Sequence, residues 1–240
     1  MLLRVAPAIP ARDHVTRWWP EVNVQARDAL RDGDVRTALS LVDHADLSAG
    51  SSQYADQQFL GGFIRLRFLK DPVSALPYFQ RLGANVSRPI SKARAEYWQG
   101  RAYEALGDTQ NAWTHYRLAC AYPETFYGQL ALAHIDPAPS RQGNDTDIAA
   151  APRSEIENDS LMPQISVLAD LGQASSLRLF AEADAAAYPA PRHLKAFLEN
   201  LMQWGYPEIA VRLAKSASYT GTAMLLYTHP VIALPAYRAP

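Results

Sequence analysis

Eight cations stand between residues 65 and 101: Arg65, Arg67, Lys70, Arg81, Arg88, Lys92, Arg94 and Arg101. Only Asp71 and Glu96 oppose them in that stretch. Such a run could hold a polymer bearing carboxylates, or it could be a solvated helix face. The whole chain carries a net charge of −1, so no strong field draws it to nucleic acid or to an anionic membrane. The histidines (His14, His44, His115, His134, His193, His229) form no His-x-x-x-His pair and no His-Glu-x-x-His motif, so a metal site is not expected. Cys120 is the single cysteine, which rules out a disulfide within the chain and a thiolate metal site. Among Leu118, Ala119 and Ala121 it reads as a small buried hydrophobe. Gly61-Gly62 lacks the spacing of a phosphate-binding loop and reads as a place of close helix packing. The rings of Trp98, Tyr103, Trp113, Tyr116, Tyr122, Phe126 and Tyr127 could stack on sugars. Most fall at core positions, and Tyr122, Phe126 and Tyr127 are the ones expected to be exposed. The contact candidates are therefore Arg88, Arg94, Arg101, Tyr122, Phe126 and Tyr127. No catalytic residue, metal or organic cofactor is expected.

The elements that carry these residues are helices. Apolar residues make up 48% of the chain, ordinary for a folded protein, and no stretch alternates with a two-residue period, so almost no strand is expected. A first hairpin is read over Val22 to His44, with its turn at Gly33-Asp34. A second runs from Asp56 to Leu82, turning at Lys70-Asp71-Pro72, where aspartate caps and proline opens the next helix. A third centres on Gly107. In it Gly100 and Tyr103 mark helix A, and Ala112, Tyr116 and Ala119 mark helix B. Further along, Leu161–Leu171 pairs with Ala174–Ala186, and Arg192–Trp204 with Pro207–Ser216 around Gly205. Gly33 to Lys70 and Lys70 to Gly107 are each 37 residues, Gly107 to Gly172 is 65, and Gly172 to Gly205 is 33. A near-constant step of this size is the signature of stacked helical hairpins. The expected class is all-α, a tetratricopeptide-like hairpin solenoid. Residues 1–17 read as an irregular lead-in, 18–135 as the hairpin superhelix and 136–160 as a linker. Residues 161–218 read as a second helical segment and 219–240 as an extended tail.

Two runs carry a more specific likeness. Tyr97-Trp98-Gln99-Gly100-Arg101-Ala102 and Phe126-Tyr127-Gly128-Gln129-Leu130-Ala131 resemble the superhelical region of soluble lytic murein transglycosylases. Their lead-in, Phe59 to Phe63, Leu66 to Pro72 and Pro89 to Ala95, is similar too, as is the Trp18-Trp19 entry. The resemblance runs from about Trp18 to Ala133 and continues weakly to Ala217. It implies periplasmic work on peptidoglycan by a parent enzyme that cleaves glycan strands. The helical region would present the strand to a lysozyme-like catalytic domain, with no cofactor.

That family uses one glutamate in a Glu-Ser dipeptide, followed by a Gly-Leu-Met-Gln-like segment. Asn200-Leu201-Met202-Gln203 departs from it: asparagine replaces glycine and no Glu-Ser precedes. Leu198, Leu201 and Met202 instead fit the inner stripe of a repeat helix, and Glu199 a solvated face. The chain is therefore expected to be inactive alone, its catalytic domain lying elsewhere. Met1 to Pro7 has no apolar core of a signal peptide, and no run reaches the ~18 apolar residues of a membrane span. If the resemblance holds, the chain is expected to be an internal piece of a longer exported protein, or an open reading frame whose start and stop are not those of the intact enzyme. The other reading is a free-standing module that binds a peptide or partner protein on its concave face.

Overall fold

A helix ends where one residue turns left-handed, and that event recurs along this chain. The computed structural model describes residues 12–136, 148–149, 151–152 and 161–230. Among them are twelve helices and no strand, which is the all-α hairpin class. They are α1 Arg12–Arg31, α2 Val35–Asp43, α3 Ser52–Arg67, α4 Pro72–Ala84, α5 Pro89–Ala105, α6 Thr109–Cys120 and α7 Phe126–Ile135. Then follow α8 Met162–Asp170, α9 Ala174–Ala187, α10 Pro191–Gln203, α11 Pro207–Ser218 and α12 Leu225–Thr228. The chain forms two compact units that divide at Ala138/Pro139.

The stop residues are Gly33, Lys70, Gly107, Gly172 and Gly205, all at positive φ. At the four glycines the following N–H closes onto the carbonyl five residues back: Asp34 to Ala29, Asp108 to Tyr103, Gln173 to Leu168 and Tyr206 to Leu201, at 2.8–3.0 Å. At Lys70 the next N–H, that of Asp71, reaches six back to Arg65 at 2.9 Å. This turn is one residue wider and holds a non-glycine at φ 56. In unit 1 the residue after the stop is always aspartate. Asp34, Asp71 and Asp108 accept from the N–H of Thr37, Ser74 and Asn111 at 3.0, 3.0 and 3.1 Å, capping α2, α4 and α6. In unit 2 the equivalent residues, Gln173 and Tyr206, make no side-chain cap.

Fixed turns fix the register of the helices they join. A Cβ added at Gly100 of α5 would lie 2.8 Å from the Tyr116 ring of α6. One added at Gly62 of α3 would lie 2.7 Å from the Phe79 ring of α4. The glycine-to-ring separation is one residue longer in the second pair, as the wider Lys70 turn requires. Ala26 and Val42 hold the same positions around Gly33, both at 0% exposure. Unit 2 reverses the sizes. There the positions hold Ile165 and Ala181, then Leu198 and Ala214, all fully buried. Unit 1 sets a small residue on the first helix against a larger one on the second, and unit 2 the opposite.

Some boundaries differ from the sequence reading. α1 begins at Arg12, inside the segment expected to be irregular, because Pro7 and Pro10 both precede it; it even passes through Pro20. Residues 1–11 lie outside the described residues. The segment expected as an extended tail holds α12, because Met224 (0% exposed) is in the unit 2 core and Tyr227 packs against it. Residues 231–240 lie outside the described residues. Of the expected linker, Ala151 is buried in that same core and Ile148 packs against it.

Two outcomes follow from the turns. The left-handed region costs an L-residue roughly 1–2 kcal/mol, more than the ~0.5–1 kcal/mol of chain entropy that glycine adds. Lys70→Gly therefore raises unfolding stability by up to about 1 kcal/mol, and Gly107→Lys lowers it by about 1 kcal/mol, both read by denaturant titration. The second concerns pH. The side chains and backbone N–H groups of Thr37, Ser74 and Asn111 hold the carboxyls of Asp34, Asp71 and Asp108 below the ordinary aspartate value, with burial opposing weakly. Depressed folded values mean a contribution that is complete above the unfolded value and is lost as pH falls through the folded ones. The melting temperature of the parent chain falls below about pH 4 more steeply than that of a triple Asp→Asn variant, whose caps do not titrate.

Candidate functional site

Five aromatic rings from four helices converge on one side chain, Trp98, in the middle of α5. Phe59 and Phe63 of α3 meet its ring at 6.1 and 5.2 Å, and Phe79 of α4 stacks on it at 5.8 Å. Tyr97 lies edge-on at 5.7 Å, and Tyr127 of α7 at 6.5 Å. The indole is 6% exposed, and its buried N–H meets no oxygen or nitrogen acceptor; rings surround it. Four helices thus share one aromatic joint, which is worth more than its buried area because edge-to-face and offset rings attract.

A polar layer closes over this joint. His134 of α7 stacks on Tyr116 at 4.7 Å and 11°, and its Nε2 sits 3.4 Å from the Tyr97 hydroxyl. Arg101 donates to that hydroxyl at 3.1 Å, and its Nε lies 3.1 Å from Glu104. Glu104 also accepts from the Tyr116 hydroxyl at 2.9 Å. Burial first, then the neighbouring Glu104 carboxylate, pushes the Tyr116 phenol far above its ordinary value, so it is a permanent donor. On the other face of α5, Glu96 bonds His115 of α6 at 2.7 Å, and Tyr103 stacks on the same imidazole at 5.2 Å.

The basic run turns out to be largely used up inside unit 1. Arg65 pairs with Asp43 of α2 at 2.8 Å and lies 4.1 Å over the Tyr78 ring. Arg81 lies over the same ring and bonds Gln58 at 2.8 Å. Arg94 lies 4.6 Å over Phe59 and 3.7 Å from Asp56. Lys92 donates to the Gly83 carbonyl at 2.8 Å. The sequence count missed these partners because Asp43, Asp56 and Glu104 lie outside the basic window. The two acids inside it serve elsewhere, Asp71 as a helix cap and Glu96 on His115. Arg67, Lys70 and Arg88 remain exposed, Arg88 at the start of α5.

The six contact candidates therefore separate. Arg94, Arg101 and Tyr127 belong to the joint around Trp98. Arg88, Tyr122 and Phe126 lie at helix starts and loops. Of the three rings expected to be exposed, Phe126 is 65% exposed, while Tyr122 and Tyr127 are half-buried. Tyr122 is held by its backbone: its carbonyl accepts from the Thr125 hydroxyl at 2.8 Å. Gly128 packs so closely there that an added Cβ would collide with the same carbonyl. Leu198 and Leu201 are fully buried, in keeping with an inner stripe, and Glu199 is half-buried and accepts from the Tyr227 hydroxyl at 3.2 Å rather than standing in solvent. Cys120 is half-buried, and its thiol is pushed up by that burial, away from nucleophilic use. Among the described residues no group of three or more His, Cys, Asp or Glu could hold a metal ion, and no helix is long and apolar enough to cross a membrane.

Unit 2 holds a groove the sequence reading did not find. It has a volume of about 540 Å³ and lies between α9 and α11, with Glu182 and Arg212 on its walls and Ala186, Leu194, Ala217 and Thr220 among its lining. Small residues at helical spacing read as packing, so the sequence carried no separate signal for it. No known protein family matches the chain, and no curated protein and no solved structure matches it.

The two kinds of candidate separate by stability. Phe126→Ser leaves unfolding stability within about 0.5 kcal/mol of the parent. Gly128→Ala costs about 1–3 kcal/mol, although glycine to alanine inside a helix ordinarily gains, because the new methyl meets fixed backbone. Chemical denaturation of both variants checks the pair.

Proposed function

We propose that this chain is the non-catalytic superhelical scaffold of a soluble lytic transglycosylase, presenting peptidoglycan glycan strands to a lysozyme-like catalytic domain in the periplasm. The observation that carries the reading is the meeting of its three resembling runs around Trp98. Phe59 and Phe63, Tyr97 and Trp98, and Tyr127 come from sequence stretches far apart, yet they pack as one joint. A likeness spread over separate runs is better supported when those runs share a core than when each stands alone. Glycan contact then falls to the groups the joint leaves free, chiefly Arg88 and Phe126. A guanidinium suits the carboxylates of the peptide stems, and an exposed ring suits the face of a sugar.

Cosedimentation with purified sacculi tests this. The chain pellets with sacculi at low salt, Arg88→Ala with Phe126→Ala together reduces the bound fraction at least about threefold, and high salt weakens the binding of the parent. No soluble anhydromuropeptide is released, since a glycosidic acid needs a desolvated carboxyl within reach of the leaving oxygen. A chain that stays wholly in the supernatant overturns the reading and favours the peptide- or protein-binding module.

A further inference from the structure

Residues 136–160 are mostly polar and carry one clear apolar island. Ile148-Ala149-Ala150-Ala151 is the longest apolar run among them, with Asp145 and Asp147 before it and Pro152 and Arg153 after. Loops ordinarily keep their backbone in solvent, because a buried peptide group must find a partner. Ala151 breaks that pattern: it is 6% exposed and belongs to the unit 2 core. Its N–H donates to the Arg192 carbonyl in the first turn of α10 at 3.1 Å. Three residues earlier the Ile148 carbonyl accepts from Lys195 Nζ at 2.6 Å, and the Ile148 side chain packs against the same core.

We infer that unit 2 carries a docking seat for a chain segment along α10, and that the chain's own linker occupies it through Ile148 and Ala151. The geometry is that of a bound peptide. Arg192 and Lys195 are three residues apart on α10 and so present to one side of the helix. One offers an acceptor and the other a charged donor, and both engage the main chain of the strap rather than its side chains. A carbonyl has two lone pairs, so Arg192 can serve its own helix and Ala151 together. Side-chain selection comes from size: a small residue must sit at 151, where the core admits it, and an apolar one at 148. Only the island within 136–160 satisfies both with that spacing. The contact makes part of the linker a component of unit 2, and it fills a surface that an outside segment of like pattern would need. It holds whether or not the chain belongs with the transglycosylases.

Residue-resolved amide hydrogen exchange on the intact chain tests it, with the free peptide Thr146–Ser154 as reference. Ala151 exchanges at least about tenfold more slowly in the chain than in the peptide, since its N–H must open before it exchanges. Lys195→Met removes a charged donor and speeds Ala151 by about tenfold, while the protected amides of α11 keep their rates. Ala151→Arg cannot enter the core and brings the strap to within about twofold of the peptide rate; if it also loosens α11, Lys195→Met decides. An Ala151 amide that exchanges in the native chain at the free-peptide rate overturns the inference. So does a Lys195→Met variant whose Ala151 rate equals that of the parent.

Discussion

Everything in unit 1 depends on where its first helices stop. A left-handed residue at Gly33, Lys70 and Gly107 reverses the chain, and the aspartate that follows starts the next helix by capping it. The stop fixes which residue of the second helix faces which residue of the first. Once that register is set, only certain size pairs fill the gap. Gly62 takes Phe79, Gly100 takes Tyr116, and Ala26 with Val42 holds the first turn's version. The one-residue widening at Lys70 moves Gly62 by one position, which shows that register follows the turn and not a fixed count along the helix.

The two units solve the same problem with opposite chemistry. Unit 1 places its bulk on aromatic rings, so a four-helix joint can form around Trp98 and guanidiniums can lie over ring faces at its edges. Those guanidiniums reach carboxylates on neighbouring helices, as Arg65 does to Asp43 and Arg94 to Asp56. Each exposed pair contributes little by itself, about 0–1 kcal/mol. Their effect is positional: a guanidinium fixed over a ring and beside a carboxylate is not free to meet a ligand. Unit 2 places its bulk on Ile165, Leu177, Leu198 and Leu201, and among the described residues it shows neither the aspartate caps after its stops nor a comparable ring cluster. It fills its core partly with the strap residue Ala151 and with Met224 beyond the last hairpin.

The hairpins were legible in the sequence because their turns obey a strong local rule. Positive φ favours glycine, and four of the five stops are glycine; the fifth was found by spacing and by the Lys-Asp-Pro pattern. What joins one helix to another across distance was not legible. Arg65 meets an aspartate 22 residues away and Arg94 one 38 residues away, so a charge count in a window saw a basic patch where the fold has ion pairs. The strap was missed for the same reason. Its apolar island is short, and its partner carbonyl on Arg192 lies 41 residues further on. α12 was missed because one turn of helix has no periodicity to detect, only a buried Met224.

The division of labour between buried and exposed residues bears on what any ligand can read. Tyr97, Trp98, Gly100, Tyr127 and Gly128 are each spent on packing: rings against rings, or glycine against a ring or a carbonyl. Residues fixed by packing tolerate few substitutions. Recognition has to be built from what the packing leaves over. In unit 1 that includes the exposed Arg67, Lys70 and Arg88, the last at the start of α5, and the exposed ring of Phe126 at the start of α7.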